Sequence, residues 1–351
     1  MSRPHPIARL LATITAAVGA LAVPVAAAGA PAQGGDDGVT LRLGYFANVT
    51  HAPALVGIEA GIYEENLGDN VTLDTSTFTA GPQAVEAIFS DALDITYIGP
   101  NPAINAFAQS DGEAVRIISG AASGGAFFVV QPDIEKPKDL EGKTIATPQL
   151  GNTQDVALRN YLEDKSFETD PTGGGDVSIV PQDNAQTLEL FTSGDIDGAW
   201  VPEPWATRLV DEGGGEILVD EADLWPDGRY VTTHIIVRTE FLEENPGVVK
   251  QFLEGHVAAN RLIADDPAQA QELVGQAIDS ITGKPIAPEL VAASFESIEF
   301  TNDPIASSLR QSAKDAEAAD LLDPVDLDGI YSLKLLNQVL KAAGEPTVKG
   351  K

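Results

Sequence analysis

Segments with strand and helix patterns alternate along the chain from residue 39 onward. The first series comprises strand Val39–Phe46, helix Pro53–Glu64, strand Val71–Phe78, helix Pro82–Ser90, strand Asp94–Ile98, helix Pro102–Gln109 and strand Val115–Ser119. Proline falls in the first turn of several of these helices, where its missing N–H costs nothing. The alternating order predicts an α/β fold with a mostly parallel sheet and helices on both of its faces.

A second series follows in the same order at a constant offset of 103 residues. It comprises strand Lys143–Thr147, helix Thr153–Asp164, strand Val177–Val180, helix Ala185–Ser193, strand Gly198–Val201, helix Pro204–Glu212 and strand Glu216–Val219. Nine residues between Thr50 and Ala103 recur at this offset, including the pairs Thr50/Thr153 and Asp94/Asp197. The repeat predicts two similar doubly wound α/β lobes. Their strand C-terminal ends are expected to border a shared ligand cleft, as in other open α/β sheets.

The pattern changes after Pro226. A strand at Thr232–Arg238 is followed by helical segments at Phe241–Ala264, Pro267–Ala277, Pro288–Ile298, Ser307–Ala319 and Ser332–Ala343. We expect this helical C-terminal extension to buttress the first lobe.

The N-terminus has the pattern of an export signal. Arg3 and Arg9 precede an uncharged, apolar run from Leu10 to Ala30, and small residues suited to cleavage follow. A membrane anchor is the competing interpretation, but Pro24 interrupts the run and no basic flank follows it. The sequence therefore predicts a cleaved signal peptide at 1–32, a polar spacer at 33–38, and a periplasmic or secreted protein. No cysteine is present to accept a lipid anchor.

The composition and the motifs argue against several functional classes. The 351 residues include 53 acidic and 21 basic side chains, giving a formal net charge of −32, so nucleic-acid binding is not expected. The absence of cysteine excludes thiolate metal sites and cysteine nucleophiles. No GxSxG or HExxH motif occurs, and Pro137 replaces the first glycine that a P-loop ending at Lys143 would need. We therefore expect no enzyme, no cofactor and no metal site.

Uncharged polar and glycine-rich residues fill the strand-to-helix junctions that would face the cleft. These junctions include Asn48, His51, Gln83, Asn101, Ser123, Thr153 and Gln154. Helix N-termini with neutral donors form an anion site without a lysine. Each residue alone is also explained as a helix cap or a turn. The segment Trp200–Trp205 adds Glu203 between two tryptophans, which suits an ammonium group or a stacked ring.

Four segments resemble the substrate-binding proteins of ABC importers for nitrate, taurine and alkanesulfonates. They are LRLGYFANVTHAPALVGIEAGIY, DITYIGPNPAINA, TPQLGNTQDVALRNYL and WVPEPWATRLV, within a similarity from about Val39 to about Ala343. The resemblance implies a type II periplasmic-binding-protein fold, with two lobes joined by crossing strands near Val129–Gln131 and Thr232–His234. The implied domains are lobe 1 at 39–130 and 233–351 with the C-terminal helices, and lobe 2 at 131–232.

The resemblance also implies a function and a site. The expected function is an extracytoplasmic solute-binding protein, acting as a monomer, that delivers a small sulfonate-type anion or zwitterion to an ABC permease. The family's ligand contacts carry over to Asn48, His51, Gln83, Asn101, Ser123, Thr153, Gln154 and Glu203. Trp205 joins this ligand-binding set because it lies beside Glu203, whose carboxylate would receive the amine of a zwitterion such as taurine.

Other interpretations remain open at the level of sequence. The same fold could bind nitrate, or a thiamine-pyrimidine precursor or other aromatic, with Tyr45, Trp200 and Trp205 as stacking surfaces. A pyrimidine-synthesising enzyme shares the fold, but the resemblance then implies a cysteine-rich segment that is missing here. A sensory module would need a retained anchor.

Overall fold

The computed structural model describes residues 38–351, which form two sheets and the helices around them. The strands are β1 (Val39–Phe46), β2 (Val71–Phe78), β3 (Ile95–Ile98), β4 (Val115–Gly124), β5 (Ala126–Val130), β6 (Thr144–Thr147), β7 (Ser178–Pro181), β8 (Gly198–Pro202), β9 (Glu216–Asp220), β10 (Val231–Arg238) and β11 (Ile298–Phe300). The predicted signal peptide, and all of the predicted spacer except Gly38, lie outside these residues.

The helices alternate with the strands up to β9 and dominate the chain after β10. They are α1 (Ala52–Glu59), α2 (Ile62–Leu67), α3 (Gly81–Phe89), α4 (Pro100–Gln109), α5 (Thr153–Asp164), α6 (Asn184–Ser193), α7 (Trp205–Asp211), α8 (Thr239–Glu244), α9 (Pro246–Asp265), α10 (Pro267–Thr282), α11 (Pro288–Glu296), α12 (Ala306–Ala318) and α13 (Lys334–Ala343). None of the helices within 38–351 combines the length and the apolar character needed to cross a membrane.

The two sheets repeat one topology. The first has the order β11-β4-β10-β3-β1-β2, and the second has the order β7-β6-β8-β5-β9. At the 103-residue offset β1, β2, β3 and β4 correspond to β6, β7, β8 and β9. Each sheet then contains a further strand at the same place, β10 or β5, and the first sheet also has β11 at its edge beside β4. The prediction of two similar α/β lobes is confirmed, and we call the first sheet with its helices the first lobe and the second sheet with its helices the second lobe.

Strands β1–β4 run in one direction in the first sheet and β6–β9 do so in the second, so the predicted parallel direction holds for the repeated strands, although each sheet is mixed. The pairs β1–β2, β1–β3, β6–β7 and β6–β8 are parallel, but β10 and β5 run antiparallel to both of their main neighbours. The reason is that each additional strand enters its sheet from a crossing segment and not from a βαβ unit, so it arrives in the opposite direction.

Buried or partly buried aspartates make equivalent contacts in the two lobes. The backbone N–H of Asp94 donates to the carbonyl of Arg42, and its carboxylate accepts the N–H of Arg42 at 3.0 Å. Asp197 does the same with Thr144, at 2.8 Å for both bonds. Each aspartate thus ties the start of β3 or β8 to the neighbouring parallel strand. The Asp94/Asp197 match in the sequence therefore has a structural cause.

The chain passes between the sheets at positions that differ from those predicted. It leaves β4 and enters β5 at Gly125, whose φ of +70° is one that glycine adopts readily. The strand Ala126–Val130, predicted in the first lobe, therefore pairs in the second sheet. The return passage lies between Asp220 and Val231, and the whole of β10 belongs to the first sheet. Alternation of apolar residues does not mark these breaks, because both β4 and β5 are buried throughout.

The C-terminal helices pack mainly on the first lobe, as predicted. α9 packs against α1 and α2, and α13 packs against α9. Side chains such as Phe252, Leu253 and Leu336 share one core with Leu41 and Leu43 of β1. The extension also contacts the second lobe, because α12 packs against α5 and α11 packs against α7. Both lobes are therefore held by the same group of helices.

Candidate functional site

A cavity of about 470 Å³ lies between the two lobes. Its wall consists of Ala47, Asn48, Thr77, Phe78, Thr79, Asp183, Asn184, Ala185, Leu188, Glu189, Trp205, Arg208, Ile281, Thr282 and Lys284. These residues follow the carboxyl ends of β1, β2, β7 and β8, or end α10. Since ligands of open α/β sheets bind at such strand ends, this interlobe cavity is the candidate site.

Asn48 and Trp205 connect the lobes across this cavity. Asn48 directly precedes a single 3-10 turn with an extended backbone (φ −120°, ψ 145°), and its side chain makes no capping hydrogen bond to that turn. The indole Nε1–H of Trp205, the first residue of α7, donates to Asn48 Oδ1 at 2.9 Å. Of the nine predicted site residues, these two line the cavity.

His51 lies next to Asn48 but deeper in the first lobe. Its Nδ1 accepts the backbone N–H of Phe46 at 3.3 Å, and its ring stacks on the Phe46 ring with centroids 4.5 Å apart. Because Nδ1 accepts, the ring proton resides on Nε2. Burial lowers the pKa of His51 to about 3, so the ring is neutral at physiological pH. It is a fixed neutral donor and not a cationic anchor.

Thr153 and Gln154 begin α5 and are buried against the first lobe. Asn152 caps the helix by accepting the Thr153 N–H at 2.6 Å. A Cβ on Gly99, which precedes α4, would lie 2.3 Å from Thr153 Oγ1, so the two helix starts meet at this glycine. Asn101 stands in the first turn of α4 but donates to the carbonyl of Ser312 at 3.1 Å. Its amide binds α12 and not the interlobe cavity.

Glu203 is buried where the lobes meet. Its carboxylate accepts the backbone N–H of Thr207 at 3.1 Å and the Thr207 hydroxyl at 2.8 Å, and Ser294 Oγ of α11 lies 3.2 Å from it. Burial raises the pKa of Glu203 despite these donors. The backbone of Glu203 also accepts the Val49 N–H at 3.0 Å. The carboxylate therefore already caps α7 and contacts the C-terminal extension.

The two remaining predicted residues lie apart from the interlobe cavity. Gln83 is exposed, and its Oε1 accepts from the backbone N–H and the hydroxyl of Thr79 at 3.3 and 3.1 Å, which closes the turn before α3. Ser123 is buried in β4, where it is paired with Val231 and Glu299 of the adjacent strands.

Several polar atoms at the carboxyl ends of β6 and β7 are buried without a hydrogen-bond partner among residues 38–351. They are Gln149 Oε1, Thr153 Oγ1, Gln182 Nε2, Asn184 Oδ1 and Thr187 Oγ1. The strand ends are adjacent, since Thr147 of β6 pairs with Pro181 of β7. Buried polar atoms are costly unless they are hydrogen-bonded. Of these residues, Asn184 alone belongs to the wall of the interlobe cavity.

Sequence reasoning missed most of the cavity wall, including Asn184, Arg208 and Lys284. Asn184 occupies the position 103 residues after Gly81, the start of α3, so the repeat could have identified it. Arg208 stacks over Trp205, its Cζ 5.1 Å from the ring centroid, and pairs with Glu212. Lys284 follows α10 of the extension and lies 3.5 Å from Glu189 across the cleft. No local pattern could have indicated Lys284, because only the tertiary packing brings it there.

Two of the three aromatic residues considered for stacking lie in the cores. Trp200 is fully buried in the second lobe, where it stacks on Phe128 at 5.3 Å and donates to Glu221 at 2.7 Å. Tyr45 belongs to the core of the first lobe. Trp205 alone of the three borders the interlobe cavity, and Arg208 covers one side of it.

A larger cavity of about 720 Å³ lies at the back of the first lobe, between α12 and the C-terminal residues. None of the predicted site residues lines it. Within the described range of 38–351, no group of three or more His, Asp or Glu side chains is arranged to hold a metal ion.

Comparison with known proteins identifies the family. The NMT1-like family profile matches residues 34–278, more than half of the chain. The chain belongs to the NMT1-like family. A putative binding protein of Brucella abortus is 26% identical over 243 residues, which are 68% of this NMT1-like chain and 72% of that protein. The taurine-binding periplasmic protein of Escherichia coli K12 is 30% identical over 196 residues, 56% of this chain and 59% of that protein.

Solved structures share the fold of this NMT1-like protein. The alkanesulfonate-binding protein SsuA of Xanthomonas axonopodis pv. citri, bound to MOPS, aligns with a TM-score of 0.65 and 19% identity over 82% of this chain and 96% of SsuA. The periplasmic nitrate-binding protein NrtA of Synechocystis PCC 6803 aligns with a TM-score of 0.71 and 15% identity over 88% of this chain and 90% of NrtA. The predicted periplasmic-binding-protein fold is confirmed, as is the resemblance to this group of binding proteins.

Proposed function

We propose that this chain is an extracytoplasmic solute-binding protein that captures a small sulfonate-type anion or zwitterion between its lobes and delivers it to an ABC permease. The family and the fold support the solute-binding role and the link to ABC-type import. The taurine-binding relative is periplasmic, which supports export of this chain and a membrane permease as its partner. We infer that the chain acts as a monomer.

One observation carries the choice of site. Both lobes and the C-terminal extension contribute residues to the wall of the interlobe cavity. A solute bound there would therefore contact all three parts of the protein at once. A solute that binds the closed arrangement better than the open one shifts the population toward closure. Asn48 and Trp205 contact the solute directly in this proposal, and His51, Gln83, Asn101, Ser123, Thr153, Gln154 and Glu203 remain predicted contacts.

The size and the lining of the cavity favour an organic anion. Nitrate is close in size to one or two water molecules, about 30 Å³ each, and would fill little of 470 Å³. The wall combines uncharged polar groups, two cationic side chains and the two acidic residues Asp183 and Glu189 with apolar side chains such as Phe78, Leu188 and Ile281. An oxyanion head with a short carbon tail matches both kinds of surface.

Uncharged hydrogen-bond donors suit the oxyanion head of such a solute in this acidic protein. The charge of −32 opposes the approach of an anion at long range, but salt screens it beyond about 8–10 Å. At short range the affinity must come from hydrogen-bond donors held in place by the fold. A zwitterion feels less long-range repulsion, and its ammonium group would compete with Thr207 and Ser294 for the Glu203 carboxylate.

The aromatic alternative is less supported than the sequence alone suggested, since Trp200 and Tyr45 are core residues.

A thermal-shift and calorimetry panel of 1-propanesulfonate, taurine, nitrate and an aminopyrimidine tests the proposal. A solute at 100 times its Kd stabilises the folded chain by about 2.7 kcal/mol. We expect a clear rise in Tm with 1-propanesulfonate or taurine. Stabilisation by the aminopyrimidine alone, or by nitrate alone, contradicts the sulfonate proposal.

A further inference from the structure

Asn48 has a fixed amide orientation. Its side chain is 7% exposed and lines the interlobe cavity. Oδ1 accepts the Trp205 indole N–H at 2.9 Å, and an indole nitrogen only donates. The oxygen must therefore face Trp205, and a flipped amide would set two donors against each other. The donor-only chemistry of the indole therefore fixes the orientation of the Asn48 amide.

The consequence is that the amide NH₂ faces away from Trp205. Among residues 38–351, Nδ2 of Asn48 has no hydrogen-bond partner, whereas Oδ1 is satisfied. Nδ2 is not among the fully buried unpaired atoms of residues 38–351, so this NH₂ group can be reached from the cavity and can donate to an acceptor there. A neutral or ionised acceptor fits there, and an ammonium or N–H group does not.

Trp205 is in turn held in place. It is the first residue of α7, whose start is capped by the Glu203 carboxylate through Thr207. On its other side, the Arg208 guanidinium stacks over the indole at 5.1 Å. The indole N–H is thus directed at Asn48 by the second lobe, while Asn48 belongs to the first. The Trp205–Asn48 hydrogen bond, and with it the fixed orientation of the Asn48 amide, therefore forms only when the two lobes are in contact.

We propose that Trp205 is a positioning residue that turns Asn48 Nδ2 toward the solute, and that Asn48 thereby selects a solute whose oxyanion head presents only acceptors. This inference rests on the proposed function and deepens it, since it names one recognition contact. It also couples recognition to closure, because the donor is oriented by a bond between the lobes. His51 follows the same principle, with its proton fixed on Nε2 by the Phe46 N–H.

The substitution Asn48→Asp tests the proposal sharply. Aspartate is nearly isosteric and keeps an oxygen for the Trp205 N–H, so we expect the Tm without solute to remain close to that of the wild type. The group facing the cavity changes from a donor to a negatively charged acceptor. We expect calorimetry to show at least about a 100-fold loss of affinity for 1-propanesulfonate.

Gln269→Glu is the matched control. It introduces the same charge change at an exposed amide near the start of α10, outside the cavity wall and outside the set of predicted ligand contacts. We expect this variant to bind 1-propanesulfonate within about threefold of the wild type. Equal losses for Gln269→Glu and Asn48→Asp mean that long-range repulsion acts, and they overturn the donor assignment.

Trp205→Phe tests the positioning role while keeping an aromatic ring. We expect a loss of affinity of about three- to tenfold. In ¹⁵N spectra of the wild type, the Asn48 NH₂ resonances should shift on addition of 1-propanesulfonate, and this shift should be smaller in Trp205→Phe. An unchanged NH₂ shift in Trp205→Phe contradicts the positioning role.

The outcomes separate this inference from the proposed function. If the wild type binds 1-propanesulfonate and Asn48→Asp binds it within threefold, the inference fails and the proposed function stands. If the wild type binds no sulfonate in the panel, both fail. A 100-fold loss confined to Asn48→Asp, with its Tm preserved, supports both.

Discussion

Glu221 is a fully buried carboxylic acid in the segment that returns from the second lobe to the first. Its Oε2 accepts the Trp200 indole N–H at 2.7 Å. Burial, with smaller contributions from the charges of Asp220 and Asp315, raises the pKa of Glu221 from 4.5 to about 7 against the opposing effect of the indole donors. We therefore predict that the protonation of Glu221 makes folding stability depend on pH.

The sign follows from proton linkage. In the unfolded chain Glu221 loses its proton near pH 4.5, whereas in the folded chain it keeps the proton up to about pH 7. The unfolded state therefore binds fewer protons in this window, so stability falls as the pH rises from 4.5 to 7. A shift of this size corresponds to roughly 3 kcal/mol, since each pKa unit is about 1.36 kcal/mol.

Glu221→Gln removes this titration and keeps an oxygen for the Trp200 N–H. We expect the free energy of unfolding of Glu221→Gln, relative to the wild type, to rise by roughly 3 kcal/mol between pH 4.5 and pH 8. Urea unfolding of both chains across this range measures the difference. Glu216→Gln, at an exposed glutamate of β9, removes the same charge from the surface and serves as the control. Parallel pH curves for the wild type and Glu221→Gln refute the reasoning.

Two further substitutions probe closure and the first-lobe core. Gly99→Ala suits the local backbone (φ −67°, ψ 159°), but its Cβ would lie 2.3 Å from Thr153 Oγ1, so the lobes must part. We expect calorimetry to show at least a tenfold loss of solute affinity, and an unchanged affinity would contradict the observed lobe contact. Asp94→Asn leaves Arg42 without its buried carboxylate, and we expect a cost of about 3 kcal/mol in urea unfolding. Asp197→Asn, at the equivalent but partly exposed position, should cost less, and the reverse order would contradict the burial argument.

Much of the fold was predictable from the sequence because the deciding signals are local. The bounds of β1, β2 and α5 match the predicted segments, and the 103-residue repeat anticipates the shared strand order. Local sequence signals failed where the course of the chain depends on tertiary structure. The predicted helix Pro53–Glu64 is two helices separated at Gly61, whose φ is +68°. The exchange of β5 and β10 between the sheets leaves no periodic pattern, because both strands are buried on both faces.

The candidate site was harder to predict than the fold. The strand-to-helix junctions pointed to Asn48 and Trp205 as site residues. They did not predict the hydrogen bond between the two, which are 157 positions apart in the sequence. Glu203 illustrates the opposite problem, because its neighbours in the sequence suggest a ligand contact while its own donors come from Thr207 and from the distant Ser294. Lys284 reaches the cavity only through the packing of α10. Side-chain environment, and not residue type, decides which polar groups remain available to a solute.

The most direct test of the account is a crystal structure of the chain grown with 1-propanesulfonate. We expect the sulfonate in the interlobe cavity, with an oxygen about 2.9 Å from Asn48 Nδ2 and the Trp205 N–H still bound to Asn48 Oδ1. A sulfonate bound only elsewhere, such as in the cavity beside α12, or an Asn48 amide turned away from it, would contradict the account.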